Sequence, residues 1–329
     1  MNTLMIYGAT GYTGRMAAFH AKQAGLALIV AGRDGDVLAA LAGELGVEAR
    51  VFAADDAAGK ALDGVTALLN CAGPFHRTAG PLMRACVANG VHYLDIAAEL
   101  DSYQLAGQLD AQARAAGTML LPGSGGSVAM LGGLVRHVIK RVAQPQSIAI
   151  ALHVSGPMSR GSVQSASENM TATLTRAKGE LVASDPHALR DFDFGRGPVS
   201  CFPVTLPDLI TLWRDTQVAD IATFVHVSGG AFPQGDPAAL PTGPSDLQRA
   251  QHRYQVAVEM VGIDGTVHRA VLDTVNGYSF TPMAAVEAAR RVLAGETRAG
   301  FQTPAGLFGE GFVVSIADSV ITDGQATLA

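Results

Sequence analysis

The chain has 329 residues, 48% of them hydrophobic and 16% charged, so it can bury a sizeable core, and its length suits two domains. A net charge of −6 with no block of like charges argues against nucleic acid or an anionic membrane as partner. No apolar stretch approaches the ~20 residues that span a bilayer. The first apolar run reads as a strand and not as a signal peptide, and Cys71, Cys86 and Cys201 lack any Cys-x-x-Cys spacing. A reduced, cytoplasmic protein is expected.

Strands and helices alternate from the start to about Leu121. Strands are expected at Leu4–Tyr7, Leu26–Ala31, Ala49–Ala53, Ala67–Asn70, His92–Ile96 and Met119–Leu121. Helices are expected between them at Tyr12–Ala24, Asp36–Leu45, Ala57–Leu62, Ala79–Asn89 and Ser102–Ala115. Such alternation implies right-handed βαβ crossovers and an α/β, doubly wound parallel sheet. An apolar helix, Val128–Val142, follows with Ser127 as its cap.

The texture changes near Pro145. Ser147–Ser155 and Asp220–Ser228 read as strands and Ser162–Lys178 as a helix. Tyr254–Ile263 and Thr266–Val275 flank Asp264-Gly265, a strong hairpin signal. Residues 229–245 are rich in Gly and Pro and read as a long loop. A helix, Met283–Ala294, is expected after Pro282. The expected domains are 1–145 (dinucleotide-binding), 146–280 (α+β, for substrate and oligomer contacts) and 281–329, a segment returning to the first. The hairpin's apolar alternation needs a face to bury against, and a homodimer is expected to supply it.

The first strand runs into Gly8-Ala9-Thr10-Gly11-Tyr12-Thr13-Gly14-Arg15. Glycines at this spacing, between a strand and a helix, allow a tight turn and close approach to a pyrophosphate. The helix would point its N-terminal amides at the phosphates. The second strand ends in Arg33, where NAD-selective folds carry a carboxylate and where an arginine accommodates the 2′-phosphate of NADP. Arg15 is a candidate for the same phosphate. Asp55, after the third strand, either accepts from the adenine amino group or caps the next helix. Cys71-Ala72-Gly73-Pro74, after the fourth, is a small-residue turn beside the nicotinamide ribose or a purely structural one.

Several segments together resemble the saccharopine dehydrogenase-like oxidoreductases, including their trans-acting enoyl reductase branch. They are Gly8–Gly14, Ala31-Gly32-Arg33, Cys71–Phe75, Tyr93–Ile96 with Glu99, Asp264-Gly265, Gly277-Tyr278 with Thr281, and Gly300–Ala305. The resemblance implies a Rossmann-like NADP-binding domain, a central α+β domain and a C-terminal return to the first. Where relatives carry a Gly-Phe-Asp-Ser-x-Pro-like run, this chain has Pro122-Gly123-Ser124-Gly125-Gly126-Ser127, so substrate assignments resting on that loop do not transfer.

Hydride transfer is the cofactor's chemistry, and the protein must orient the substrate and manage one proton. Asp95, closing the fifth strand, and Glu99, four residues on, are candidate acids or else capping or ion-paired carboxylates. Tyr278 is a third candidate donor, or a buried hydrogen-bonded tyrosine. The nine histidines show no metal-ligand spacing, and no metal is assigned. The leading expectation is an NADP-dependent oxidoreductase acting on a small organic molecule; its rival is a non-catalytic NADP-binding regulator of NmrA-like type.

Overall fold

The computed structural model describes residues 2–168, 172–230 and 240–328, without the side chains of 165–168. In chain order the first elements are β1 (Thr3–Tyr7), α1 (Tyr12–Gln23), β2 (Ala27–Gly32), α2 (Gly35–Leu45), β3 (Glu48–Val51), β4 (Ala67–Asn70), α3 (Phe75–Asn89), β5 (His92–Asp95), α4 (Leu100–Gln108), α5 (Asp110–Ala115) and β6 (Met119–Leu121). A short 3₁₀ turn at Ala58–Leu62 precedes β4. There follow α6 (Ser127–Ile139), β7 (Pro145–Ser155), α7 (Arg160–Glu168), β8 (Leu174–Ala177), β9 (Glu180–Ala183), β10 (Arg190–Asp193), β11 (Pro198–Pro203), α8 (Asp208–Thr216) and β12 (Asp220–Ser228). The last are α9 (Asp246–Gln251), β13 (Tyr254–Gly262), β14 (Thr266–Thr274), α10 (Gly277–Leu293), β15 (Gly300–Phe301), α11 (Pro304–Phe308), α12 (Gly311–Val314), β16 (Val320–Asp323) and β17 (Thr327–Leu328).

The chain divides into two compact units, one running to Gly126 and resuming over Thr281–Leu307, the other comprising Ser127–Phe280 and everything from Phe308. This division differs from the 1–145, 146–280 and 281–329 read from sequence, for two physical reasons. Helix α6 is buried over most of its length and packs on β7, β13 and β14, so the boundary precedes it. After Leu307 the chain returns to the second unit, where β16 and β17 pair with β14.

The first unit is a seven-stranded sheet in the order β15-β6-β5-β4-β1-β2-β3, every pairing parallel. Leu4, Met5 and Ile6 of β1 and Leu68 and Leu69 of β4 are fully buried, as expected of strands covered on both faces. Local chemistry sets the helix ends. Asp34 caps α2 by accepting from the Val37 N–H at 3.2 Å, and Gly46 and Gly90 end α2 and α3 in the left-handed region.

The second unit is a ten-stranded mixed sheet whose main path runs β10-β11-β12-β7-β13-β14-β16. The Asp264-Gly265 hairpin is present, with β13 and β14 paired from Tyr254↔Thr274 to Val261↔Val267. It is not isolated: β13 also pairs with β7, and β14 with β16. Alanines 149, 151 and 257 leave room on the sheet for Phe192 and Phe194, which pack there with Phe224 and Cys201.

Two expectations are corrected. The helix read as Ser162–Lys178 covers Arg160–Glu168, and Leu174–Ala177 is instead a strand turned back onto β9 through Lys178 (φ 52°) and Gly179 (φ 84°). The helix read from Met283 begins at Gly277, so Pro282 lies inside it. Asn276 is the true start signal: its Oδ1 accepts from the Tyr278 N–H, and its carbonyl from Ser279 and Phe280. The 229–245 loop falls largely on 231–239, outside the described residues. Among the described residues, no helix is long and apolar enough to cross a membrane.

Candidate functional site

In the first unit the strand order reverses direction between β1 and β4, and ligands of open α/β sheets bind at such a switch point beyond the strand C-termini. The glycine loop lies there. Gly8 (φ 78°) anchors to β2 through its N–H on the Ala31 carbonyl at 2.8 Å, and a Cβ on it would lie 2.8 Å from Ala72. A Cβ on Gly14 would strike the Gly8 carbonyl oxygen at 2.1 Å, so this glycine lets α1 pack against the loop. Gly11 differs: it is exposed, and a Cβ there would meet only the Gly8 oxygen, at 3.3 Å. No side chain caps α1 at Gly11. An uncapped helix end beside an open glycine is the form of an anion-binding site. Thr10, Tyr12 and Thr13 are partly buried around it.

Arg33 follows β2, exposed, and makes no ion pair among the described residues. Its neighbour Asp34, also exposed, caps α2 through Oδ1. Arg15 is differently placed, with its guanidinium 2.6 Å from Glu44 and 5.1 Å from the Phe19 ring centroid. Asp55 is exposed and accepts from the Ala57 N–H at 2.9 Å, which closes a local turn.

The turn after β4 is built by Asn70. Its Oδ1 accepts from the Ala72 N–H at 2.9 Å, and its amide donates to Thr78 at 3.1 Å and to the Tyr93 hydroxyl at 3.2 Å. Cys71 donates its N–H to the Tyr7 carbonyl at 2.8 Å, tying the turn to β1, and the Gly73–Pro74 bond is cis. Burial, then the nearby Asp95 carboxylate, pushes the Cys71 thiol up to about 12, which disfavours the thiolate at neutral pH.

Asp95 is fully buried at the end of β5. The Tyr93 hydroxyl donates to its Oδ2 at 2.9 Å, while Ala97 and Gly123 donate N–H bonds to Oδ1 at 3.0 and 2.8 Å. Ser124 donates both its hydroxyl, at 2.9 Å, and its N–H, at 2.8 Å, to the Asp95 carbonyl. Burial pushes the carboxyl up to about 6, against the pull of those donors. Asp95 thus pins the Gly123–Gly126 loop to β5. Glu99 lies near the edge, 7% exposed, and accepts from the Phe75 N–H at 3.5 Å and the Ala98 N–H at 3.1 Å. Its carboxylate therefore meets the turn at 73–75 directly.

Tyr278 belongs to the second unit. Its hydroxyl accepts from the Ser159 N–H at 2.7 Å and donates to Ser162 Oγ at 2.8 Å. Asn70, Tyr93 and Ser124 stood in motifs read from sequence without a role of their own, and Thr78 was not read at all. The contacts of Asn70 with Tyr93 and of Ser124 with Asp95 depend on β4, β5 and β6 lying side by side.

Residues 4–121 match the model of the saccharopine dehydrogenase NADP binding domain. Over 220 residues the chain is 26% identical to a trans-acting enoyl reductase of Mycobacterium leprae, an alignment covering 61% of this chain and 53% of that protein. The chain thus spans about half the length of this curated relative. Its fold is similar to that of apo saccharopine dehydrogenase (L-Glu forming) from Saccharomyces cerevisiae, with TM-score 0.67 and 12% identity over 99% of this chain and 100% of that one. A probable dehydrogenase from Thermotoga maritima matches with TM-score 0.50 and 13% identity over 94% and 93%. At such identities these two structures establish a common fold.

Proposed function

We propose, from the match of residues 4–121 to the saccharopine dehydrogenase NADP binding domain, an NADP-dependent oxidoreductase that transfers hydride to or from a small organic substrate. The observation that carries this reading is the uncapped N-terminus of α1 beside the open face of Gly11, at the β1–β4 switch point. When bound, the nicotinamide supplies the hydride chemistry. The loop Gly8–Gly14 and the first turn of α1 receive the pyrophosphate. Arg33 receives the 2′-phosphate; Arg15, already paired with Glu44, contributes less. The backbone of residues 71–74 approaches the nicotinamide ribose, and Asn70, Tyr93 and Asp95 hold that edge in shape.

Asp95 has both oxygens committed to hydrogen bonds, so we assign proton transfer in this unit to Glu99, whose carboxylate touches the 73–75 turn. The commitment of Asp95 also favours a second reading, an NADP-binding regulator without turnover. The homodimer expected from the hairpin stands as part of this proposal: pairing of β13 with β7 and of β14 with β16 joins their edges without covering their faces, and light scattering that returns a monomer at micromolar concentration would overturn it.

Titrating NADP and NAD into wild type and Arg33→Ala tests the cofactor assignment. Loss of one charge-assisted contact, ~1.5–3 kcal/mol, should weaken NADP by about ten- to a hundredfold and leave NAD unchanged. Equal NADP affinity in the two proteins removes Arg33 from the site. NADPH oxidation against imines, enones and keto acids then separates enzyme from regulator.

A further inference from the structure

The second unit carries a side-chain constellation that nicotinamide chemistry leaves unused. Strands β7 and β12 are parallel and in register, which sets His153 beside His226 and Ser155 beside Ser228. Strand β13 lies on the other side of β7 and places Gln255 opposite His153. The imidazole is therefore held from both neighbours. Its Nδ1 is 2.8 Å from Gln255 Oε1, and its Nε2 is 2.8 Å from Ser228 Oγ.

The tautomer follows from the partners. Gln255 gives its Nε2–H to Asp273 Oδ2 at 2.9 Å, so its carbonyl oxygen faces His153. A carbonyl only accepts, hence Nδ1 carries the proton and Nε2 is left to accept from the serine hydroxyl. Asp273 is fixed in turn by an ion pair with Arg253. Burial lowers the His153 pKa, and the charges of His226 and Arg196 act in the same direction against the upward pull of Gln255. The imidazole is thus neutral, and able to take a proton, at pH 7.

Ser228 closes β12 and is followed by Gly229 (φ 66°) and Gly230 (φ 74°). Neither glycine's N–H donates to any described residue. Consecutive free amides after a serine are the donors that an oxyanion requires.

We propose that Ser228, His153 and Gln255 form an acyl-transfer site that takes small activated carboxylic esters, with Ser228 as nucleophile, His153 as base and Gln255 as positioning residue. Ser228 Oγ attacks the ester carbonyl carbon while its proton passes to His153 Nε2. The bond from that carbon to the alkoxy oxygen then breaks, and His153 returns the proton to the departing alkoxide. Water attacks the acyl-serine, passing its proton through His153 to Ser228 Oγ, and the carboxylic acid leaves. Ser155 Oγ lies 3.4 Å from Ser228 Oγ and 3.1 Å from His252 Nδ1, which makes Ser155 the control for which serine reacts.

The site is independent of the nicotinamide reading, and the experiment uses neither cofactor nor substrate panel. The full chain is treated with a fluorophosphonate, whose P–F bond breaks as Oγ–P forms, and the adduct is mapped by mass spectrometry. One adduct on Ser228 is expected, absent from Ser228→Ala and retained in Ser155→Ala. The labelling rate should fall about 10²–10⁴-fold in His153→Asn. In Gln255→Met, which removes the acceptor that raises the imidazole's pKa, the midpoint of labelling against pH should move down. Wild-type mapping decides the matter even if a variant fails to fold. An unlabelled folded protein, an adduct elsewhere, or a rate unaffected by His153→Asn overturns the proposal.

Discussion

Asp95 and Asp208 are both fully buried, one in each unit, but they are partnered in opposite ways. Asp95 receives the Tyr93 hydroxyl and two backbone N–H groups, and its carboxyl rises to about 6. Asp208, in the first turn of α8, has no hydrogen-bond partner of good geometry on either oxygen, only a weak contact with its own amide, and rises to about 7. Burial is the main cause in both. In Asp95 the hydrogen-bond donors pull the carboxyl down while Glu99 pushes it up. A loop-anchoring carboxylate is thus kept ionisable near neutrality, while an unpartnered one is best left protonated.

The largest effect is expected where no donor compensates. A carboxyl whose folded pKa lies above its unfolded value contributes stability below the unfolded pKa, and that contribution is lost as pH rises through the folded one. For Asp208 the loss runs from about pH 4 to about pH 7 and amounts to ~4 kcal/mol, on the order of 1.4 kcal/mol for each pH unit. Asp208→Asn cannot ionise, so its stability relative to wild type should climb by that amount over the window. Urea unfolding from pH 4 to pH 9 measures it. A difference that stays flat with pH breaks the comparison.

Asp95→Asn should show the same sign in a narrower window, about pH 4 to 6, and a smaller gain of ~3 kcal/mol. Asparagine still accepts one backbone N–H through its carbonyl, which keeps the Gly123 loop anchored. NADP affinity should therefore stay close to wild type in calorimetric titration. A collapse of affinity would instead place Asp95 in the cofactor contact.

The first unit was legible because its strands are buried on both faces and read as unbroken apolar runs, such as Leu4-Met5-Ile6 and Ala67-Leu68-Leu69. The glycine loop was legible for a similar reason: only glycine tolerates the φ of Gly8 and the clash at Gly14. The strands β8 to β11 were not legible, since Glu180–Ala183 and Arg190–Asp193 are short and largely exposed and carry little apolar alternation. Nor were the polar constellations. Asn70 meets Tyr93, and His153 meets Gln255 at a separation of 102 residues, only through strand register, which residue spacing along one chain does not encode.

Glu99 supplies the third and smallest stability effect and separates structure from chemistry. It is buried, and among its contacts it accepts from the Phe75 N–H at 3.5 Å and the Ala98 N–H at 3.1 Å. Glutamine keeps one acceptor oxygen and the side-chain length, so Glu99→Gln should change unfolding stability by less than ~1 kcal/mol. Proton transfer is another matter, because an amide neither gives nor takes a proton near neutrality. With a compound from the panel that wild type reduces, Glu99→Gln should lose ~10²–10⁴-fold in turnover at nearly unchanged NADP affinity. Asp95→Asn, by contrast, should keep most of its turnover, since its part is to hold the loop. If both variants turn over at the wild-type rate, the proton comes from neither carboxylate. If Asp95→Asn alone loses turnover, the well-bonded carboxylate is the acid and its hydrogen bonds tune it, contrary to the division of labour assigned to the pair.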